Sequence, residues 1–161
     1  MKSKINLLAV FTFLILSCSS DKEDGPRTSS IVGSWEFSSL ELDEGTTDTD
    51  LLLAEAYFII LKGQDCELVT FTFNDDNTLI AESSLGNVST DFSLEGGIPC
   101  PTDTEIETAI WSLEGDQLTI VDAEGLSETF TITLVNDELT VPSESLSGGT
   151  YTGASAVFTR K

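Results

Sequence analysis

Alternation of apolar and polar side chains between short turns constrains this chain more than any other feature. In residues 68–73, Val69, Phe71 and Phe73 lie on one face of a predicted strand and two threonines on the other. Residues 74–77, Asn-Asp-Asp-Asn, form a turn in which asparagine accepts the left-handed backbone conformation. About nine such segments at short spacing predict an all-β fold, as an antiparallel barrel or sandwich.

The other predicted strands lie wherever this alternation returns between turn residues. The first begins near Ile31 and runs to about Leu42, with Trp35 and Phe37 on one face. Segments 95–101 and 142–149 contain glycine and proline and are predicted as loops. The remaining predicted strands are 78–84, 88–94, 106–113, 118–121, 128–135, 139–141 and 151–159.

One apolar segment, residues 51–61, departs from the alternation. Its length, its alanines, an N-cap at Asp48 or Asp50 and a stop at Gly63 favour a helix. Its second half is aromatic and β-branched, so a strand is the alternative. We expect one short helix after the first strand, packed over one end of the domain as a lid.

The beginning of the chain has the layout of an export signal. Lys2 and Lys4 precede an apolar run over residues 5–16, which is shorter than the roughly 20 residues that a membrane-spanning helix needs. Residues 15–18, Ile-Leu-Ser-Cys, resemble the lipobox of bacterial lipoproteins, in which the cysteine receives lipid, palmitate included, and becomes the first residue. Ordinary signal cleavage after Ser19 is the alternative.

The lipobox resemblance and the change of pattern at Ile31 together predict three parts of the chain. They are a signal peptide at 1–17, a tether at 18–30 lipidated on Cys18, and a domain at 31–161. The acidic residues soon after Cys18 resemble the signal that sends some lipoproteins to the outer face of the outer membrane. We therefore expect an outer-membrane lipoprotein of a Gram-negative cell envelope, facing the periplasm or the cell surface.

The charge balance excludes several classes of partner and chemistry. The chain has 28 acidic and 7 basic residues, and the domain keeps only Lys62, Arg160 and Lys161 of the basic ones. Nucleic-acid binding requires clustered basic residues, so we expect no nucleic-acid partner. Membrane contact should come from the lipid alone. The absence of histidine removes Ser-His-Asp catalysis and the commonest zinc ligand, and no pattern indicates a metal or a cofactor.

The two cysteines of the domain form an even pair. In an exported, oxidising setting, Cys66 and Cys100 predict a disulfide. Such a bridge would stabilise the fold by roughly 3–4 kcal/mol in the chain-entropy description. Two unpaired buried thiols are the alternative.

Three short motifs carry a resemblance to a known family. Gly33-Ser34-Trp35 opens the first strand, residues 111–120 read Trp-Ser-Leu-Glu-Gly-Asp-Gln-Leu-Thr-Ile, and the last strand ends Phe158-Thr159-Arg160. Together these resemble the lipocalin-like domains of bacterial envelope lipoproteins. The resemblance implies an up-and-down barrel of about eight strands, closed at one end by Trp35 beneath the Arg160 guanidinium. That pair is expected to be structural.

Whether the barrel interior is filled or hollow stays open at the level of sequence. The candidate lining residues are aromatic, and such side chains can fill a core or line an apolar pocket. They are Phe37, Phe71, Phe73, Phe92, Phe130 and Phe158.

The leading hypothesis is a non-catalytic binding module for a small apolar ligand. The alternative is a surface structural or interaction lipoprotein with a filled core, whose protein or glycan partner the sequence does not name. A third hypothesis, an acid-dependent hydrolase, uses Glu105 and Glu107, which share a face if their segment is a strand.

Overall fold

Nine antiparallel strands and two helices form the part of the chain that the computed structural model describes, residues 30–87, 97–146 and 152–161. Helix α1 spans Thr49–Lys62, the single-turn helix α2 spans Ser143–Leu146, and a 3-10 turn covers Leu85–Asn87. The strands are β1 (Gly33–Leu42), β2 (Val69–Phe73), β3 (Thr78–Ser83), β4 (Glu105–Glu114), β5 (Gln117–Val121), β6 (Ser127–Thr131), β7 (Thr133–Val135), β8 (Glu138–Pro142) and β9 (Ala154–Arg160).

The strands follow an up-and-down order in which the first and last strands are neighbours. The order in the sheet is β6-β5-β4-β3-β2-β1-β9-β8-β7, and each hydrogen-bonded pair is antiparallel. Pairing of β1 with both β2 and β9 joins the two ends of the meander. The predicted all-β, antiparallel up-and-down barrel is therefore confirmed.

Closure of the barrel depends on a strand that changes partner at Ile132. The sequence predicts one continuous strand over residues 128–135, and this is wrong: β6 pairs with β5, whereas β7 pairs with β8. Between them, Ile132 is buried and its N–H donates to the Asp116 carbonyl at 2.8 Å. The two outer strands of the sheet order are thus consecutive in the chain, which gives a nearly closed barrel.

Helix α1 packs against β1, which β2 pairs with along only part of its length. Strand β2 pairs with β1 only along the first residues of β1, from Gly33 to Glu36, and α1 packs against β1. The Asp48 carboxylate caps the helix by accepting from the N–H groups of Asp50 and Leu51. The Gly63 N–H closes the other end by donating to the Ile59 carbonyl. The predicted helix is confirmed, and its strand alternative is wrong.

Other differences from the sequence predictions fall at segment ends. The predicted loop at 142–149 contains α2, because Pro142 cannot donate a ladder hydrogen bond and so ends β8 immediately before the helical turn. Strand β9 begins at Ala154, later than expected, and extends to Arg160. The strand predicted over residues 88–94 lies outside the described residues.

Candidate functional site

The two ends of the barrel differ in construction. At the closed end, β1 begins and β9 finishes, and at the open end β2 and β4 begin and β3 finishes. Side chains alternate between the interior and the exterior along each strand, so the strand register decides which residues reach each end.

Trp35 and Arg160 form the floor of the closed end. They are register partners on β1 and β9, which places their side chains beside each other on the same face. The guanidinium carbon of Arg160 lies 4.2 Å from the centroid of the indole ring, and the Trp35 Nε1–H donates to the Ile31 carbonyl at 2.7 Å. Trp35 is fully buried. The structure thus brings together the pair singled out from the sequence, in a structural position.

Arg160 also holds the segment that leads into the barrel. Its Nη1 and Nη2 donate to the carbonyls of Val32 and Ser30 at 2.9 and 2.6 Å, and its Nε donates to the Asp137 carboxylate. Gly33 has a φ of +134°, and a Cβ there would lie 2.5 Å from Arg160 Nη1. The glycine of the Gly-Ser-Trp motif is therefore needed for both the backbone conformation and the close approach of the guanidinium.

A second aromatic layer fills the interior above this floor. The rings of Phe73 and Trp111 meet edge to face at 5.5 Å, and the Trp111 Nε1–H donates to the Thr78 carbonyl at 3.1 Å. The void among Phe71, Phe73 and Phe130 is about 20 Å³, which is room for little more than one water. This half of the barrel is a packed core.

The open end contains a cavity of about 380 Å³ beneath helix α1, which we call the helix-side cavity. A volume of this size is within the range of small-molecule sites. The barrel contributes Phe37, Val69 and Phe158 to its wall, and the helix contributes Leu51, Ala54 and Phe58.

A second cavity of about 380 Å³ lies beside it along β3 and β4, and we call it the β4-side cavity. Both cavities are bordered by Val69, Leu85 and Leu146, so they adjoin each other. The apolar wall of the second cavity includes Phe71, Leu79 and Ile120. The cavity is also lined by three acidic residues, Glu105, Glu107 and Asp122.

The predicted lining phenylalanines separate into three groups. Phe37 and Phe158 line the helix-side cavity, and Phe71 lines the β4-side cavity. Phe73 and Phe130 line the small void of the packed half. Phe92 lies outside the described residues.

Sequence reasoning missed several lining residues because they lie outside the strands. They come from α1, the 3-10 turn and α2, and they are Leu51, Ala54, Phe58, Leu85 and Leu146. For α1 a signal existed, since its apolar residues extend around the whole helix. The inner face packs on the barrel, while Leu53 and Ile59 on the outer face are 64% and 66% exposed. Helix propensity alone could not say which leucines face inward.

All three basic residues of the described chain are engaged in ion pairs elsewhere. Lys62 Nζ lies 2.8 Å from a Glu36 oxygen, and Arg160 pairs with Asp137. Lys161 Nζ lies 2.8 Å from a Glu67 oxygen, which raises the pKa of the lysine and lowers the pKa of the carboxyl. None of the three basic side chains lines either cavity.

The disulfide between Cys66 and Cys100 joins two segments at the open end. Cys66 precedes β2 and Cys100 precedes β4, and their Cα atoms are 5.4 Å apart. Cys66 is buried within the apolar core. The predicted bridge is confirmed, and it ties the starts of two strands that have β3 between them.

Two features are absent from the described residues. Across residues 30–87, 97–146 and 152–161, no group of three or more acidic or cysteine side chains is arranged to hold a metal ion. Within the same part of the chain, no helix has the length and apolar character required to cross a bilayer.

Comparison with known proteins gave two matches. A model of the lipocalin-like domain family matches residues 31–141. A crystal structure of a lipocalin-like protein from Bacteroides uniformis is similar at 14% sequence identity, with a TM-score of 0.44, over 81% of this chain and 97% of that one. No curated protein matches the chain.

Proposed function

Because this chain belongs to the family of lipocalin-like domains, we propose that it is a binding module that holds a small, largely apolar molecule at the open end of its barrel. The helix-side cavity carries this proposal. It has about 380 Å³ of space, and its wall is formed by aromatic and aliphatic side chains from both the barrel and α1.

An apolar occupant gains free energy from burial in such a wall. Each buried methylene stabilises by about 0.8 kcal/mol, so burial of a chain of about ten carbons contributes about 8 kcal/mol to offset the cost of association. The ring centroids of Phe58 and Phe37 are 5.0 Å apart, and those of Phe37 and Phe158 are 5.8 Å apart, so the aromatic part of the wall is already assembled. A preformed wall reduces the ordering cost of binding.

Cavity filling tests this proposal with two alanines of one helix. Ala54 lines the helix-side cavity, whereas Ala56 lies on the exposed side of α1. We expect the neutral fluorophore N-phenyl-1-naphthylamine to bind the wild-type domain with increased emission. Ala54→Phe should weaken that binding at least about tenfold, because the ring occupies the cavity, and Ala56→Phe should leave it unchanged. Absence of binding to the wild-type domain, or equal binding by both variants, would contradict the proposal.

The proposal extends to attachment at the outer membrane through lipid on Cys18. Arg160 binds the carbonyls of Val32 and Ser30 at the closed end, so a tether joined to residue 30 would leave the domain from the end opposite the cavities. Mass spectrometry of the mature protein should find an N-terminal acylated Cys18, and Cys18→Ala should release the protein from the membrane fraction. An unmodified mature N-terminus would contradict this part of the proposal.

We further propose that the module is non-catalytic. The lack of histidine leaves carboxylates as the obvious acid–base groups, and the paired candidates Glu105 and Glu107 are exposed at the β4-side cavity. A general acid working near neutral pH needs a raised pKa, which burial usually provides. A bound ligand should therefore be recovered chemically unchanged after prolonged incubation, and a product that disappears in Glu107→Gln would contradict the proposal.

A further inference from the structure

The carboxylates at the open end point toward the interior side of the barrel wall. Glu105 is the register partner of Ser83, and Glu107 is the register partner of Ala81. Residues directly opposite each other project from the same face of a sheet, and Ser83 and Ala81 both line the β4-side cavity. The Cα atoms of the two residues therefore lie about 7 Å apart along one strand, and both side chains project from its inner face.

These acids interrupt a strand whose inner face is otherwise apolar. Farther along β4, the same face carries Ala109 and the buried Trp111, which belong to the core. Glu105 and Glu107 themselves are exposed, because they lie where the strand begins at the mouth. The β4-side cavity is thus an apolar space with anionic groups at its rim.

No basic side chain neutralises this rim within the described chain. The ion pairs of Lys62, Arg160 and Lys161 go to other acids. Asp122 adds a third carboxylate, one oxygen of which accepts the Leu126 N–H. A ligand whose head group emerges here meets uncompensated negative charge, which attracts a cation and repels an anion.

We infer that the adjoining cavities select an amphiphile with an apolar chain and a cationic head group, such as an alkylammonium, over a fatty acid or an alcohol of the same length. The cavities are the site, and Glu105 and Glu107 decide the charge of its occupant. This inference rests on the proposed function, because it requires that the chain be buried in the apolar cavities.

Three decyl compounds with different head groups test the inference. Binding of decylammonium, decanol and decanoate to the wild-type domain would be measured by calorimetry at low salt and neutral pH, below the concentrations at which they form micelles. We expect decylammonium to bind about tenfold more tightly than decanol, and decanoate to bind more weakly than decanol. High salt should reduce the difference between the charged compounds and leave decanol unaffected.

Matched double variants assign the preference to the two carboxylates. Glu105→Gln/Glu107→Gln should lower the preference for decylammonium over decanol to about threefold or less, with decanol binding unchanged. Glu114→Gln/Glu138→Gln changes the net charge equally at exposed positions that line neither cavity, and should keep the wild-type preference.

The outcomes separate this inference from the proposed function. Failure of all three compounds to bind would overturn the proposed function and the inference with it. Binding of decanol without any advantage for decylammonium would overturn only the inference. An equal loss of preference in both double variants would also overturn it, because overall charge would then account for the effect.

Discussion

The closed and open ends of this barrel are made from the same strands but are stabilised in different ways. At the closed end, Trp35 and Trp111 are buried and hydrogen-bonded, and the interior between them is filled. At the open end, two adjoining cavities of about 380 Å³ each share a border at the 3-10 turn, one of them lies beneath α1, and a disulfide ties the starts of β2 and β4.

The difference shows how a small barrel can combine a stable core with a hollow site. Dense packing gains dispersion and apolar burial, and each unfilled volume forgoes that gain. The cavities are tolerable because one end is packed and the other is held by a covalent link. We therefore expect substitutions at the closed end to affect stability, and substitutions at the open end to affect binding more than stability.

The largest contrast should come from two aromatic truncations. Trp35→Ala removes a fully buried ring and should lower the free energy of unfolding by about 3–5 kcal/mol. Phe58→Ala removes a half-buried ring beside an existing cavity and should cost less than half as much. Urea unfolding followed by circular dichroism measures both. If Trp35→Ala does not fold, Trp35→Phe should still be less stable than the wild-type protein. Equal losses of unfolding free energy in the Trp35 and Phe58 variants would contradict the difference between the two ends.

The next largest effect should come from loss of the disulfide at the open end. Cys66→Ala/Cys100→Ala removes a covalent link between residues 34 positions apart and should lower the free energy of unfolding by about 3–4 kcal/mol. Binding of N-phenyl-1-naphthylamine should fall as well, because the starts of β2 and β4 are no longer tied together. Wild-type protein under reducing conditions is the control and should behave like the double variant. Unchanged probe binding would show that the link does not shape the site.

A double-mutant cycle sharpens the account of the closed end. Gly33→Ala should cost about 1–3 kcal/mol, since its φ of +134° is unfavourable for alanine and its Cβ would meet Arg160. When Arg160→Ala is already present, the cost of Gly33→Ala should be smaller, because only the backbone strain remains. Thermal unfolding of the four proteins gives the coupling. Additive losses of stability would mean that the Arg160 guanidinium can move away from the new Cβ without any loss of unfolding free energy.

The smallest effect concerns an exposed ion pair near the end of the chain. Lys161 lowers the pKa of Glu67, so this carboxyl stabilises the fold above its ordinary pKa and loses that contribution as the pH falls through the lowered value. Solvent screening keeps the effect small. As the pH is lowered from neutral to about 3, the unfolding midpoint of Glu67→Gln should fall slightly less than that of the wild-type protein. Glu124→Gln, at an exposed turn, should follow wild type.

Much of the fold could be predicted from local pattern because strands and turns are local features. The alternation of Val69, Phe71 and Phe73 placed β2, and Asn77 indeed adopts a left-handed conformation in the turn that follows. The break at Ile132 could not be predicted, because the alternation continues through it. Only the partner strands on either side show that the chain leaves one neighbour and joins another.

The candidate site was predicted less well than the core for a similar reason. Phe37 and Phe73 look alike in sequence, yet one borders a cavity and the other packs on Trp111. Phe58 and Leu85 line the cavity beside Phe37. They belong to the helix and the 3-10 turn, and the local sequence pattern does not predict which way the side chains of these segments face. Glu105 and Glu107 were noticed as a pair, but their relation to an apolar cavity depends on how β4 registers against β3.

The sequence by itself determined the strand pattern, the helix after the first strand, the even pair of cysteines and the Trp35–Arg160 pairing expected of a lipocalin-like barrel. The strands and the helix follow from side-chain periodicity and capping, which are properties of neighbouring residues, and the Trp35–Arg160 pairing follows from the resemblance that the short motifs carry. Tertiary structure decided which end is filled, where the barrel closes and which carboxylates meet the cavities. Those properties depend on the register and packing of segments far apart in the chain, and no local pattern encodes how completely distant side chains fill the space between them.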